Sequence, residues 1–284
     1  MNHQPSATCP VVLSIAGFDP SSGAGIAADL KTFGAHGCYG VAAITALTVQ
    51  NTQGVTALYP TEPAVLKDTI AALLTDGCVR AIKVGMVASQ ANAEVVSEFL
   101  ESNPTLPSVL DPVFRSSTGR DLADAACQEF VREQLIKRAS VITPNLFEAS
   151  AMTGLRVENQ EAMKAAARRL VEMGARAVVV TGGHLDKATD VFFDGSALEV
   201  FVGERVKPNN THGTGCTFSS AIAANLALGR QLRDAIVLAK AYVTEAIRKA
   251  YLVGPGRMPL NHLYRMTEPT RLTDHSPAAP ESGA

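Results

Sequence analysis

Apolar positions in this chain come in short dense blocks separated by segments of helical spacing. The first block, Val11-Val12-Leu13-Ser14-Ile15-Ala16-Gly17, stops at Asp19-Pro20-Ser21-Ser22-Gly23, which predicts a strand running into a loop. Ile26, Leu30 and Phe33 then recur three and four apart, predicting a helix over 25–36. The alternation continues: strand 39–49, helix 62–76, strand 81–84, helix 90–101, strand 108–113, helix 123–138, strand 141–142, helix 159–173 and strand 177–180. Asp194-Gly195 between 190–193 and 197–202 predicts a hairpin, after which helices follow over 215–228 and 232–251. Strands that are apolar on both faces and alternate with helices predict an α/β fold, three layers with a mostly parallel central sheet. Residues 1–9 and 268–284, rich in Pro, Ser, Thr and Ala, read as tails around one domain over 10–267.

Composition narrows the partners. The 284 residues carry 25 Lys+Arg against 27 Asp+Glu, a formal net charge of -2, which offers no field for a polyanion or an acidic membrane surface. A nucleic-acid or membrane partner is therefore not expected, and a small-molecule ligand is. The cysteines at 9, 38, 78, 127 and 216 form no C-x-x-C pair, so neither a disulfide framework nor a zinc knuckle is expected. With no Lys or Arg before the first apolar block, and that block interrupted by Ser14, Gly17 and Asp19, the chain reads as cytoplasmic and unspanning.

The chemistry-bearing segments are few. There is no G-x-x-x-x-G-K-[ST] phosphate loop and no G-x-S-x-G elbow. Gly23-Ala24-Gly25 lacks the acidic residue a dinucleotide fold would place downstream. The densest segment is Asn209-Asn210-Thr211-His212-Gly213-Thr214-Gly215-Cys216-Thr217, leading into an apolar helix. Its glycines let successive N–H groups point one way, and the helix start adds free donors and a positive dipole end. That is an anion hole suited to phosphoryl transfer, or else a glycine turn with Thr capping. Cys216 falls in the first helical turn, where the dipole is expected to lower a thiol's pKa; the alternative is a small core residue. His212 is a phosphate donor or a loop cap. His184, after Gly182-Gly183, is a ligand contact or packing. Asn145 and Glu148, three apart at a helix start, either position Mg²⁺ around a triphosphate or cap the helix; Asp111 is a second cation partner or a turn residue.

In this order the motifs resemble a known family. Ser14-Ile15-Ala16-Gly17-Phe18-Asp19-Pro20, Gly23-Ala24-Gly25-Ile26, Asp29-Leu30-Lys31-Thr32-Phe33, Gln50-Asn51-Thr52, Lys83-Val84-Gly85-Met86, Asp111-Pro112-Val113, Thr143-Pro144-Asn145-x-x-Glu148, Gly182-Gly183-His184 and the segment ending Gly213-Thr214-Gly215-Cys216-Thr217 look like the hydroxymethylpyrimidine/phosphomethylpyrimidine kinases of the ribokinase-like superfamily. The resemblance covers roughly residues 11–264. It implies a ribokinase-like α/β/α sandwich and ATP-dependent phosphorylation, in two steps, of a hydroxymethyl pyrimidine in thiamine biosynthesis, with Mg²⁺ as cofactor and a homodimer as the assembly. It places the pyrimidine among Gly17, Asp29, Gln50, Met86 and Val113. Asn145, Glu148, Gly182, Gly183, Thr211 and His212 would serve Mg·ATP, with Asp111 and Glu148 toward the metal. Gly213, Thr214, Gly215 and Cys216 would form the catalytic anion hole, Cys216 standing where most ribokinase-like enzymes carry an aspartate.

The chain departs from the family at Thr181, where a lysine is common, at Ser22 in the first loop, and at Gly256-Arg257-Met258-Pro259, where Gly-His-Gly-Pro is usual. Two rivals stand beside this reading: a pyridoxal or pyridoxine kinase of the same superfamily, and a ligand-binding regulator that kept the fold without catalysis.

Overall fold

In the computed structural model, residues 9–266 are described, apart from 184, 186 and 209. His184 and most of both proposed tails thus lie outside the described residues.

The chain builds a nine-stranded sheet: β1 (Val11–Phe18), β2 (Tyr39–Asn51), β3 (Gly54–Pro60), β4 (Val79–Val84), β5 (Ser108–Leu110), β6 (Val141–Ile142), β7 (Val178–Gly182), β8 (Ala188–Phe193) and β9 (Leu198–Gly203). Their spatial order is β3-β2-β1-β4-β5-β6-β7-β8-β9. The six strands from β2 to β7 in that order run parallel, while β3 at one edge and the β8–β9 pair at the other are antiparallel.

Successive strand residues feed opposite cores, as period-two geometry requires. Leu13, Ile15, Ile82, Val84, Leu110, Val178 and Val180 face one side. There they pack with residues of α2 (Pro63–Thr75), α3 (Gln90–Ser102), α4 (Ala125–Glu133), α5 (Leu146–Thr153) and α6 (Gln160–Glu172). Val12, Ala81, Val109 and Val179 face the other, against α1 (Gly25–Ala35), α7 (Thr214–Ala227) and α8 (Leu232–Arg248). This is the ribokinase-like three-layer α/β/α sandwich. The run Ala221-Ile222-Ala223-Ala224 of α7 is fully buried, so the small side chains let that helix lie close against the sheet and fix where its N-terminus emerges.

Three local expectations are corrected. Residues 54–60 form β3, which the sequence pattern did not flag: β2 returns through Thr52-Gln53, a turn with none of the usual Asn-Gly or Asp-Gly signal. The strand expected over 108–113 ends at Leu110, because Val113 N–H turns back to Asp111 C=O at 2.8 Å and Pro112 has no N–H to give the ladder. The helix expected over 123–138 breaks at Gln134 into a 3₁₀ turn over Leu135–Lys137. The second of these has a chemical consequence: it leaves Asp111 at the carboxyl end of a central strand.

Candidate active site

The chain crosses from one side of β1 to the other between β2 and β4, and at such a switch point the carboxyl ends of parallel strands diverge into a crevice. A cleft of about 630 Å³ opens there. Its walls are the ends of β1, β4, β5, β6 and β7 and the first turn of α7.

The α7 turn is built by contact of backbone on backbone. Gly213 is the N-cap, with φ at +86°. A Cβ on it would stand 1.8 Å from the Gly23 carbonyl oxygen, so the loop after β1 and the start of α7 touch through bare main chain. The first bond of the helix, Thr217 N–H to Gly213 C=O at 2.9 Å, leaves the N–H groups of Thr214, Gly215 and Cys216 without helical acceptors. Thr211 and Thr214 hydroxyls meet at 3.2 Å beside them.

His212, on the short strand β10 (Thr211–His212), latches the two loops together. Its Nε2 lies 2.8 Å from Asp19 Oδ2 and 3.0 Å from the Gln50 amide nitrogen, and its Nδ1 lies 2.9 Å from Ser117 Oγ. Asp19 also accepts from the backbone N–H groups of Ser21, Gly23 and Ala24. Burial works against the Asp19 charge, but the hydrogen bonds from His212 and Ser21 and the attraction of His212 outweigh it and hold the carboxyl below its usual range. Sequence reasoning gave Asp19 and Ser117 no role, because the partner they share is 193 residues from the first and 95 from the second.

Of the five residues expected around the pyrimidine, Gly17, Gln50, Met86 and Val113 line the cleft. A Cβ at Gly17 would sit 2.0 Å from Met86 Cε, so a side chain there would displace the flexible end of Met86 within the cleft. Asp29 is not among them. It is fully buried beneath the cleft floor, where it accepts from Ser14 Oγ at 2.6 Å, Ser220 Oγ at 2.6 Å and Lys83 Nζ at 2.9 Å. With three donors on its carboxylate and no exposed surface, it lies beneath the cleft rather than in its wall.

Asn145 and Glu148 are together, and as a capping box: Asn145 Oδ1 accepts from Glu148 N–H at 3.0 Å and Glu148 Oε2 accepts from Asn145 N–H at 2.9 Å. Both line the cleft with Asp111. Burial first, and then the Asp111 charge, push Glu148 well above the ordinary carboxylate range. Burial likewise pushes Asp111 up to about 6, against the pull of Lys83 and the hydrogen bonds of Cys216 and Ser219. Two neighbouring buried acids, each held up mainly by desolvation and one also by the other's charge, are what a dication would relieve. Mg²⁺ takes one or two carboxylates and fills its remaining positions with water and phosphate oxygens. The pair therefore fits such an ion, although among the described residues no set of three or more His, Cys, Asp or Glu side chains is arranged to hold a metal.

Cys216 lies half-buried at the cleft floor, and here the expectation of a lowered pKa fails. Burial pushes the thiol up to about 12, and the opposing effect of Lys83 does not offset burial together with the nearby Asp111 and Asp29 charges. The helix dipole is worth at most about a kilocalorie or two, whereas desolvating a thiolate costs more. At neutral pH Cys216 is a thiol. Of the glycines after β7, Gly183 lines the cleft, while Gly182 is buried with its N–H on Asp190 Oδ1 at 3.2 Å. Thr181 lines the cleft where a lysine was expected from the family; Lys240, also at the wall, is tied to Asp190 at 2.6 Å.

Comparison with known proteins agrees with this geometry. Residues 19–261 match the family model described as phosphomethylpyrimidine kinase. The hydroxymethylpyrimidine/phosphomethylpyrimidine kinase of Aquifex aeolicus is 43% identical over 248 residues, 87% of this chain and 97% of that one. The thiamine biosynthesis bifunctional protein ThiED of Geobacter sulfurreducens is 43% identical over 254 residues, 89% of this chain but 52% of that longer protein, so the chain spans about half its length. Among solved structures, the phosphomethylpyrimidine kinase of Clostridium difficile superposes with a TM-score of 0.75 at 40% identity, covering 84% of this chain and 99% of that one. An ADP complex of Bacillus subtilis pyridoxal kinase superposes with a TM-score of 0.83 at 35% identity, covering 92% and 100%.

Proposed function

The chain belongs to the phosphomethylpyrimidine kinase family and is a ribokinase-like phosphotransferase; from that premise we propose that it transfers a phosphoryl group from ATP to 4-amino-5-hydroxymethyl-2-methylpyrimidine and then a second to the resulting phosphomonoester, in thiamine biosynthesis. The observation that carries the proposal is the meeting of three features in one cleft. The free N–H groups of Thr214, Gly215 and Cys216 stand at one point of it, with the Asp111 carboxylate 3.7 Å from the position a Gly215 Cβ would take, and the Gln50–Met86 pocket opens beside them.

Each part has a task in phosphoryl transfer, where positioning and charge stabilisation are most of the catalysis. The amides of 214–216 face the charge that spreads over the transferred group. The Gln50 amide both donates and accepts, matching ring nitrogens and an exocyclic amine, and Met86 and Val113 supply apolar walls. Asp111, Glu148 and Asn145 would hold Mg²⁺, which when bound neutralises phosphate oxygens. Gly183, Thr211 and His212 would border the nucleotide phosphates. A neutral Cys216 keeps a fixed negative charge away from the acceptor, which matters in the second step because that acceptor is already an anion. Cys216→Asp should therefore spare the first transfer to within about tenfold and lower the second by about a hundredfold, the factor expected of one charge in a dry site; equal loss in both steps would remove the charge argument.

We take residues 10–267 as the catalytic unit. The homodimer has a candidate face on β2–β3, where Leu47, Val49 and Tyr59 stand exposed in one row of cross-strand neighbours. Its place is the cytoplasm, a reducing compartment in which free cysteines such as Cys9 and Cys78 at the surface persist as thiols. Among the described residues no helix is long and apolar enough to cross a membrane.

The likeness to a pyridoxal kinase keeps one second reading in view. A mass-spectrometric time course with Mg·ATP, offering the pyrimidine and pyridoxal in parallel, decides between them. Pyrimidine mono- and then diphosphate is the expected result. Phosphate on pyridoxal alone would overturn it in favour of that second activity, and no product from either would point to a binding protein.

A further inference from the structure

Beneath the floor of the cleft lies an ion pair to which the reaction described so far gives no task. The Lys83 side chain is fully buried, as is Asp29. A lysine is almost never fully buried unless paired, and a buried pair is a weak source of stability, because the cost of desolvation rivals the attraction. Its place at the carboxyl end of a central strand asks for another reason.

The geometry gives one. Asp29 belongs to α1, Lys83 to β4, Ser14 to β1 and Ser220 to α7, so the cluster ties α7, which carries the anion hole, to three other elements. Asp29 accepts from three donors, and an ammonium has three N–H groups to give. Among the described residues Lys83 makes one hydrogen bond, to Asp29. Although enclosed, Lys83 forms part of the cleft lining, together with Asp111 and Cys216. Space for its head group is cleared from above by Gly85, where a Cβ would stand 2.7 Å from Nζ. Of the other cations at the cleft wall, Lys240 is engaged with Asp190 and Arg115 with Asp121 and the Phe147 ring, while Arg205 and Arg257 also line the cleft. Burial disfavours the Lys83 charge, yet the nearby Asp29 and Asp111 carboxylates and the hydrogen bond to Asp29 outweigh it and hold the ammonium above the ordinary lysine range.

We propose that Lys83, held by Asp29 as its counter-ion, is a positioning residue for phosphoryl transfer: a fixed positive charge under the reaction centre that offsets the Asp111–Glu148 carboxylates as an anionic acceptor approaches. The inference rests on the two-step reaction proposed above. The acceptor of the first step is a neutral alcohol, and that of the second is a phosphomonoester entering a site that already holds two carboxylates and a triphosphate. The ammonium end of the pair lines the cleft and the carboxylate end does not, so the pair acts as a dipole with its positive end toward the acceptor, which favours the second approach more than the first in a site without water.

The test separates charge from scaffold. Lys83→Met alone strands a buried carboxylate and is expected to unfold in part. The informative protein is therefore the double variant Lys83→Met/Asp29→Asn, in which the amide introduced at position 29 accepts from one of the Ser14 and Ser220 hydroxyls through its oxygen and donates to the other through its nitrogen. With circular dichroism and the KM for ATP near those of the parent, kcat for the first transfer should fall about tenfold and for the second about a thousandfold, a ratio that a merely structural role would not move. The same factor in both steps, or an unchanged kcat in both, would overturn the proposal. Should the parent protein make no pyrimidine phosphate at all, the reaction assignment fails instead, and the two failures cannot be confused.

Discussion

Replacing Gly213 by alanine is expected to lower kcat by at least a thousandfold, somewhat more than the loss of a single oxyanion donor. Two effects act at the same atom. The φ of +86° places any L-residue in the left-handed region, at a cost of about 1–2 kcal/mol. The added Cβ would also fall 1.8 Å from the Gly23 carbonyl oxygen, a main-chain atom with no rotamer to retreat into. The loop of residues 19–24 and the start of α7 must therefore separate, and the N–H groups of 214–216 lose their aim together. Gly229→Ala is the matched control. Its φ of +78° carries the same strain, but nothing lies within 4 Å of the new Cβ. That variant should lose about 1 kcal/mol of stability and keep its kcat. Steady-state kinetics and thermal melts on both proteins check this; full activity in the Gly213 variant would mean that the turn does not form the anion hole.

The second large effect is expected at Asp111, where function and stability pull in opposite directions. Asp111→Asn should reduce kcat by about a thousandfold, as loss of a charged group that organises metal and phosphate does. The ligand-free variant should nonetheless melt higher than the parent at pH 8. Burial raises the folded-state pKa from 3.8 to about 6, so between those values the folded state binds more protons than the unfolded. Stability accordingly falls as pH rises through that window, and the penalty is fully present above it. Glu148, also raised, adds a penalty of the same sign. Asparagine in place of Asp111 removes both that residue's own penalty and the repulsion on Glu148. Melting curves from pH 4.5 to 8.5 should show the two proteins converging at the acid end and diverging through pH 6, the variant on top. The opposite order at pH 8 would mean that the attraction of Lys83 for Asp111 exceeds the cost of burying it. Mg·ATP should raise the melting temperature of the parent by more than that of the variant, because the ion relieves a repulsion only the parent has.

Neither prediction could have been sized from the chain alone. Gly213 was legible as a turn residue before a helix, because Gly-Thr-Gly-Cys preceding an apolar run is a local pattern. Its contact with Gly23, which sets the scale of the effect, joins residues that no local rule connects.

What the sequence by itself determined was the order and type of the elements, since these depend on neighbours within a turn or a strand. Val11–Phe18 is apolar at both parities and so is a strand covered on both faces; Ile26 and Phe33 repeat at helical spacing and so line one face of α1. The three-layer sandwich follows from such patterns, the proposal that Gly213–Cys216 binds phosphate starts from them, and the ordered motifs carried the family. Tertiary structure alone decided what each polar residue is for. Gln50 and Asp29 are both polar residues in apolar stretches, yet one faces the cleft and the other closes a pair with Lys83, 54 positions away. Asn145 and Glu148 cap their own helix, but they meet Asp111 only because β5 and β6 are neighbours in the sheet. For Cys216, a helix terminus argues for an acidic thiol and a buried floor for an inert one. The dipole is a local property and can be read from the sequence; desolvation depends on everything packed around the sulfur, and it wins.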